Sequence, residues 1–301
     1  MIESAGATRT SEGCVACHAT TTFFGWKKSY TYARCPLCGT LQLSPLPQAT
    51  EIERIYKDSQ YSADNQHGQG DADQVRKASA AHYHCVREAL QAYAGRGEVL
   101  DYGAGWGGLV EVLRAAGFSA RGLELSAGMV KECQRRGLPV EGGDLSTRPI
   151  APASLSAVTM CGVFEHLLTP DAFLDQVYAG LKPGGIFLSL QPTAPFARLL
   201  ASVLRLGRQQ AELPQPFYIF DPPWHAALYS VRGMCQLAER HGFRVRAVRP
   251  VPQGRFPGFT GVLQGIANPI NKVGWALAGT AWPLMVSHLF VFEKAEGAAK
   301  R

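Results

Sequence analysis

One stretch limits the fold more than any other: Glu98-Val99-Leu100-Asp101-Tyr102-Gly103-Ala104-Gly105-Trp106-Gly107-Gly108. A strand-like apolar start runs directly into four glycines and then into the helical pattern of residues 109–116. Glycine turns the chain tightly through left-handed conformations and lets backbone N–H groups approach a ligand closely. The segment therefore predicts strand, tight turn, helix, with a ligand over the turn. A G-x-G pattern alone is weak, because dinucleotide enzymes use it too. Its surroundings have to decide.

Those surroundings alternate. Strand patterns at 120–125, 139–141, 155–162, 186–190, 243–248 and 289–292 are separated by amphipathic helical patterns at 128–136, 171–181 and 231–241. With the first strand this makes seven, and repeated β–α units predict a parallel sheet covered on both faces, an α/β domain. Residues 74–93 carry a further helical pattern, and Thr50 with Glu53 forms a capping box for a short helix before it. The chain has 301 residues, 46% apolar and 18% charged, which suits one large domain with a smaller one and excludes a disordered chain. Residues 273–292 lack Asp, Glu, Lys and Arg over a membrane-spanning length. Pro283, His288 and the strand-like end at Phe292 favour a helix followed by a strand, so no transmembrane span is expected.

Four of the eight cysteines form two pairs, Cys14-x2-Cys17 and Cys35-x2-Cys38, with 17 residues between them. That is zinc-ribbon spacing: each pair lies on a tight turn, and four thiolates close a tetrahedral structural site. Trp26, Phe23, Phe24 and Tyr32 are expected to supply its small apolar cluster. Two alternatives stand beside zinc. Cys14-x2-Cys17-His18 matches a c-type haem attachment site, which requires export, and the N-terminus has no apolar secretory stretch. A transient disulfide is the other. A cytoplasmic, reducing location is the expectation.

The order of several motifs then resembles the class I S-adenosylmethionine-dependent methyltransferases. Asp101-x-Gly103-x-Gly105 is similar to the family's first motif. Glu124, 21 residues beyond Gly103, matches its ribose-binding acid, and Asp144-Leu145 its adenine-edge pair. Cys161-Gly162-Val163-Phe164-Glu165-His166 matches the segment beside the donor's methionine part, and residues 181–185 match the turn before strand five. The resemblance implies S-adenosylmethionine held by Asp101, Gly103, Ala104, Gly105, Trp106, Glu124, Leu125, Asp144, Leu145, Cys161, Gly162 and Phe164, with Tyr61 folding over it. Trp106 departs from the Thr or small residue usual there. The cysteine pairs, Gly39 and Pro45-Leu46-Pro47 extend the likeness to a bacterial subgroup bearing zinc ribbons. The implied fold is a Rossmann-like, seven-stranded methyltransferase sheet with an N-terminal zinc ribbon. The implied division is a zinc ribbon at 1–47, a helical connector at 48–94 and the methyltransferase domain at 95–301, with a lid near 193–229.

Methyl transfer to a hydroxyl needs a base, and His166 and His225 are the candidates, with Glu165 positioning. Each also has a packing alternative. Asp221-Pro222-Pro223-Trp224 resembles a base N-methylation motif, but it lies far beyond strand four and is read as a lid turn. The formal net charge is +6, yet residues 195–301 hold 13 Lys and Arg against 5 Asp and Glu. Arg198, Arg205, Arg208, Arg244, Arg246, Arg249 and Arg255 suit an anionic acceptor or a solvated face. The favoured reading is O-methylation of a small-molecule acceptor. The alternatives are C- or N-methylation, an RNA methyltransferase reading RNA through the ribbon, and a non-catalytic binder. Peripheral membrane contact through the basic, apolar segment 195–208 is a further alternative.

Overall fold

The computed structural model describes residues 10–52, 72–204, 212–213, 219–251 and 259–295. The front of the chain gives four short strands: β1 (Thr10–Gly13), β2 (Thr20–Lys27), β3 (Tyr30–Arg34) and β4 (Leu41–Leu43). A long helix, α1 (Ala72–Tyr93), leads to β5 (Glu98–Tyr102), α2 (Gly108–Ala115), β6 (Ser119–Glu124), α3 (Ala127–Arg135) and β7 (Val140–Gly142). Then come β8 (Leu155–Cys161), a 3-10 turn at Phe164–His166, α4 (Pro170–Gly180), β9 (Leu181–Pro192) and α5 (Ala194–Leu204). The chain closes with β10 (Ala227–Leu228), α6 (Val231–Arg240), β11 (Phe243–Pro250), α7 (Phe259–Ala278) and β12 (Ser287–Lys294).

The main sheet has seven strands in the order β11-β12-β9-β8-β5-β6-β7. From β7 to β9 all neighbours are parallel, as the β–α repeat requires. β12 departs from the parallel expectation and runs antiparallel to both β9 and β11. The cause is its connection. The chain passes through α7 and returns at the end where β11 stops, so β12 begins there, with His288 opposite Pro250. The strand-plus-helix reading of 273–292 matches α7 and β12, and no helix among the described residues is long and apolar enough to cross a membrane. Strand five starts earlier than its apolar run, because a register shift against Leu155–Ala157 absorbs the Lys182-Pro183-Gly184-Gly185 turn.

One face of the sheet carries an aromatic core of Phe164, Phe173, Phe187, Phe243, Phe290 and Phe292. Burying such a side chain stabilises by roughly 1.5–3 kcal/mol. The other face packs Val86, Ala89 and Leu90 of α1 against Val99, Leu188 and Val291. Serines start two helices: Ser126 Oγ accepts from Met129 N on α3, and Ser230 Oγ from Gly233 N on α6.

The ribbon does not build a core of its own. Cys14, Ala16, Cys35 and Cys38 belong to the same cluster as the sheet's aromatic face. Phe23 and Trp26 are exposed, while Tyr32 is buried against Phe220 and residues of α5. The second sheet runs β1-β2-β3-β4-β10, so its last strand comes from the far end of the sequence. Arg240 donates to Ala16 O at 2.7 Å and pairs with Asp171, fixing the first cysteine turn against α4 and α6.

Candidate active site

Strands β5, β6 and β8 end at one edge of the sheet, and a cleft of about 1090 Å³, open mouth included, lies over those ends. β5 brings Asp101 to its wall, and the turn after it Gly103, Ala104, Gly105 and Trp106. β6 brings Glu124 and Leu125, β8 brings Cys161 and Gly162, and the 3-10 turn brings His166. Gly103, Gly105 and Gly162 have φ of 74°, 53° and 70°, the left-handed region. A Cβ on Gly103 would lie 2.5 Å from Val163, whereas beyond Gly105 nothing lies within 4 Å. The first glycine closes the turn on the strand-four segment, and the second leaves room for a ligand.

Glu124 is buried, and its two oxygens accept from Gly105 N and Ser126 N, each at 2.8 Å. Burial raises its pKa, partly countered by those donors. A carboxylate has lone pairs to spare beyond these two bonds, which suits recognition of vicinal hydroxyls. Asp101 lies deeper. Burial pushes its pKa up to about 7, although Thr159 Oγ1 donates to it at 2.8 Å.

Other predicted donor contacts lie outside the cleft lining. Asp144 Oδ1 accepts from Ser146 N, Thr147 N and Ser146 Oγ, so the carboxylate caps its own turn, and Gly143 lines the cleft beside it. Leu145 is buried in the main core. Phe164 is fully buried, edge-on to Tyr229 with ring centres 5.1 Å apart. Tyr61 lies outside the described residues, as do Glu53 of the capping box, Arg205, Arg208 and Arg255. One wall was not anticipated: Val75, Ser79 and Tyr83 of α1. Their four-residue spacing puts them on one helix face and was a readable signal.

Beyond the strand-four edge, His166 and His225 approach with ring centres 5.1 Å apart. His166 Nδ1 donates to Trp224 O and His225 Nδ1 to Ile219 O, both at 2.7 Å. A carbonyl only accepts, so each Nδ1 carries a proton and donates it. The lid turn Asp221–Trp224 thus supplies the carbonyl that orients His166. Glu165 is buried beside them, its pKa pushed up to about 8 by desolvation. Among the described residues, the basic side chains of the last third do not converge here. Arg244 and Arg246 pair with Glu293, Arg249 lies over the Tyr93 ring, and Arg198 packs beside Gly39 of the ribbon.

In the ribbon, the four sulfurs of Cys14, Cys17, Cys35 and Cys38 lie within 4.8 Å of one another. Both turns repeat one geometry: His18 N donates to Cys14 O, and Gly39 N to Cys35 O. On each turn a later N–H also donates to the first sulfur: Ala16 N, two residues on, to Cys14 Sγ, and Cys38 N, three residues on, to Cys35 Sγ. The donor set and its spacing fit a tetrahedral thiolate-bound ion.

A sheet of this order with a glycine-walled cleft at its carboxyl edge defines the Rossmann-like methyltransferase fold, here with a four-cysteine ribbon in front. Comparison with known proteins is specific about the class. A family model described as a methyltransferase domain matches residues 74–248, and the chain belongs to that family. A ubiquinone biosynthesis O-methyltransferase of Methylococcus capsulatus is 32% identical over 124 residues, 38% of this chain and 52% of that protein. The chain spans about half the length of the curated relatives it matches. Among solved structures, a Haloferax volcanii methyltransferase in complex with the Trm112 activator has a TM-score of 0.52 at 16% identity, covering 79% of this chain and 97% of that one. An S-adenosylmethionine-dependent methyltransferase from Mesorhizobium loti has a TM-score of 0.51 at 18% identity, covering 72% and 99%. These two likenesses describe the fold.

Proposed function

We propose that the protein transfers the methyl group of S-adenosylmethionine to an oxygen of a small-molecule acceptor. The observation that carries this reading is the adjacency of two sites: a cleft walled by Gly105 and Glu124, and an imidazole pair whose member His166 lines that same cleft. In the first, Glu124 takes the ribose hydroxyls and the Gly103–Gly105 turn the methionine part, while α1 covers the donor. The sulfonium is already activated, so the chain's task is alignment and loss of the acceptor proton. His166 and His225, each held through Nδ1 by a main-chain carbonyl, are placed for that. The named activity of the Methylococcus capsulatus relative supports oxygen as the accepting atom.

The cysteines hold structural zinc in this reading. They leave no open position for catalysis and pack into the aromatic core of the sheet. Thiolate-held zinc suits the cytoplasm.

Calorimetric titration with S-adenosylmethionine tests the donor half. Incubation with phenolic and aliphatic hydroxy acids, read by mass spectrometry for a product heavier by one methylene, tests the acceptor half. Binding of the donor with methylation only at carbon or nitrogen would overturn the oxygen assignment.

A further inference from the structure

Glu165, His166 and His225 form a second cluster of ligand-type side chains, remote in kind from the four cysteines. One ligand atom from each lies within 4.8 Å of the other two. We propose that these three residues bind one first-row divalent cation at the acceptor end of the donor cleft.

Three features support this. Glu165 is 2% exposed and its Oε2 is sealed from solvent with no hydrogen-bond partner among the described residues. Proteins seldom strand a buried carboxylate oxygen, since desolvation without a partner is costly. A cation would satisfy it. Both imidazoles donate through Nδ1 to main-chain carbonyls, Trp224 O and Ile219 O. That outer arrangement fixes the tautomer and ring angle of a histidine that ligates through Nε2. Lastly, the set is two nitrogens and one carboxylate oxygen, a combination that takes manganese, iron, cobalt or zinc and leaves positions open.

His166 also lines the donor cleft, so an open position would face the acceptor. There the cation would hold the acceptor oxygen after its hydroxyl proton has left to water, lowering the cost of the oxyanion. That oxygen's electron pair then forms the new O–CH3 bond as the C–S bond breaks, and its electrons return to sulfur to give neutral S-adenosylhomocysteine. The histidines act in this case as ligands, and the cation takes over activation of the hydroxyl. This deepens the methyl-transfer reading and rests on it for its role, though not for its existence.

Manganese is the probe, because thiolate sites favour softer ions and the ribbon will not compete for it. Full-length protein with its ribbon metal retained is titrated with Mn2+, and free Mn2+ is counted by electron paramagnetic resonance. One Mn2+ per chain is expected, with nitrogen-14 couplings from coordinated imidazole in the pulsed spectrum of the wild type. Glu165→Gln and His225→Gln should each weaken binding at least tenfold while zinc content stays unchanged. No binding up to millimolar Mn2+, a bound signal without nitrogen couplings, or binding that survives both substitutions would each overturn the site. The wild-type spectrum decides the matter even where a variant fails to fold. Donor affinity is measured separately. If Mn2+ binds and S-adenosylmethionine does not, the donor reading fails and the cation site stands. If the donor binds and turns over without any bound cation, the cation's part in the reaction is overturned, and the titration alone decides the site.

Discussion

At Gly105 two constraints meet on one atom: φ of 53° and empty space where a side chain would begin. Gly105→Ala should cost about 1–2 kcal/mol in stability from left-handed strain, and it should also fill the donor cradle. Donor affinity should therefore fall at least tenfold by calorimetry, more than the stability loss explains. Glu124→Ala removes a buried acceptor and should weaken donor binding by about 1–3 kcal/mol; unchanged affinity would remove Glu124 from the site. Asp101 gives a pH test. Its folded pKa, about 7, lies above the ordinary aspartate value of 3.8. Between those values the folded chain keeps a proton that the unfolded chain has lost. The stability this gives is whole below pH 3.8 and is lost as pH rises through about 7. Asp101→Asn cannot lose a proton there and keeps an oxygen for Thr159. Its stability relative to wild type should climb between pH 5 and 8 by about 2–3 kcal/mol, read from melting temperatures across that range. A flat difference would mean that Asp101 is not desolvated.

At the scale of elements, α1 is the part whose role has least sequence support. Its apolar face, seen in Val86, Ala89 and Leu90, is legible from spacing, but that spacing does not say that Val75, Ser79 and Tyr83 roof the cleft. The contact that closes the roof is small. A Cβ on Gly108, at the start of α2, would lie 2.5 Å from the Tyr83 ring. Gly108→Ala should lift α1 and raise the donor dissociation constant about tenfold, with a smaller change in melting temperature; equal affinity would show that α1 does not cover the donor. The strands of the parallel half are legible because apolar runs end at glycines 103, 142 and 162, each a turn the sheet requires. β12 is legible as a strand but not in direction, since direction depends on where α7 returns the chain. β10 is two residues long and has no pattern of its own; it is a strand only because β4 lies beside it.

At the scale of the molecule, the pairing of β4 with β10 joins the ribbon to the segment that carries His225. Leu43 N donates to Ala226 O at 2.8 Å, Tyr32 OH to His225 O at 3.4 Å, and Ser230 Oγ to Cys38 O at 2.5 Å. The cysteine spacing announces a ribbon, and the Glu165-His166 motif announces a site, but no local pattern links residue 38 to residue 230. Only the tertiary contact does. Cys38→Ser should lower the melting temperature in one cooperative step. Acceptor turnover should fall far more than donor affinity, measured on the same protein. If turnover and donor affinity fall together, the ribbon supports the whole domain and not the His225 segment in particular. The ribbon also brings four thiols into a working part of the molecule. In the proposed reading of the ribbon as a zinc site, oxidants that reach those sulfurs, or a shortage of zinc, would then leave a chain that still sequesters methyl donor yet delivers nothing, coupling metal and redox supply to the reaction without any contact with the reactants.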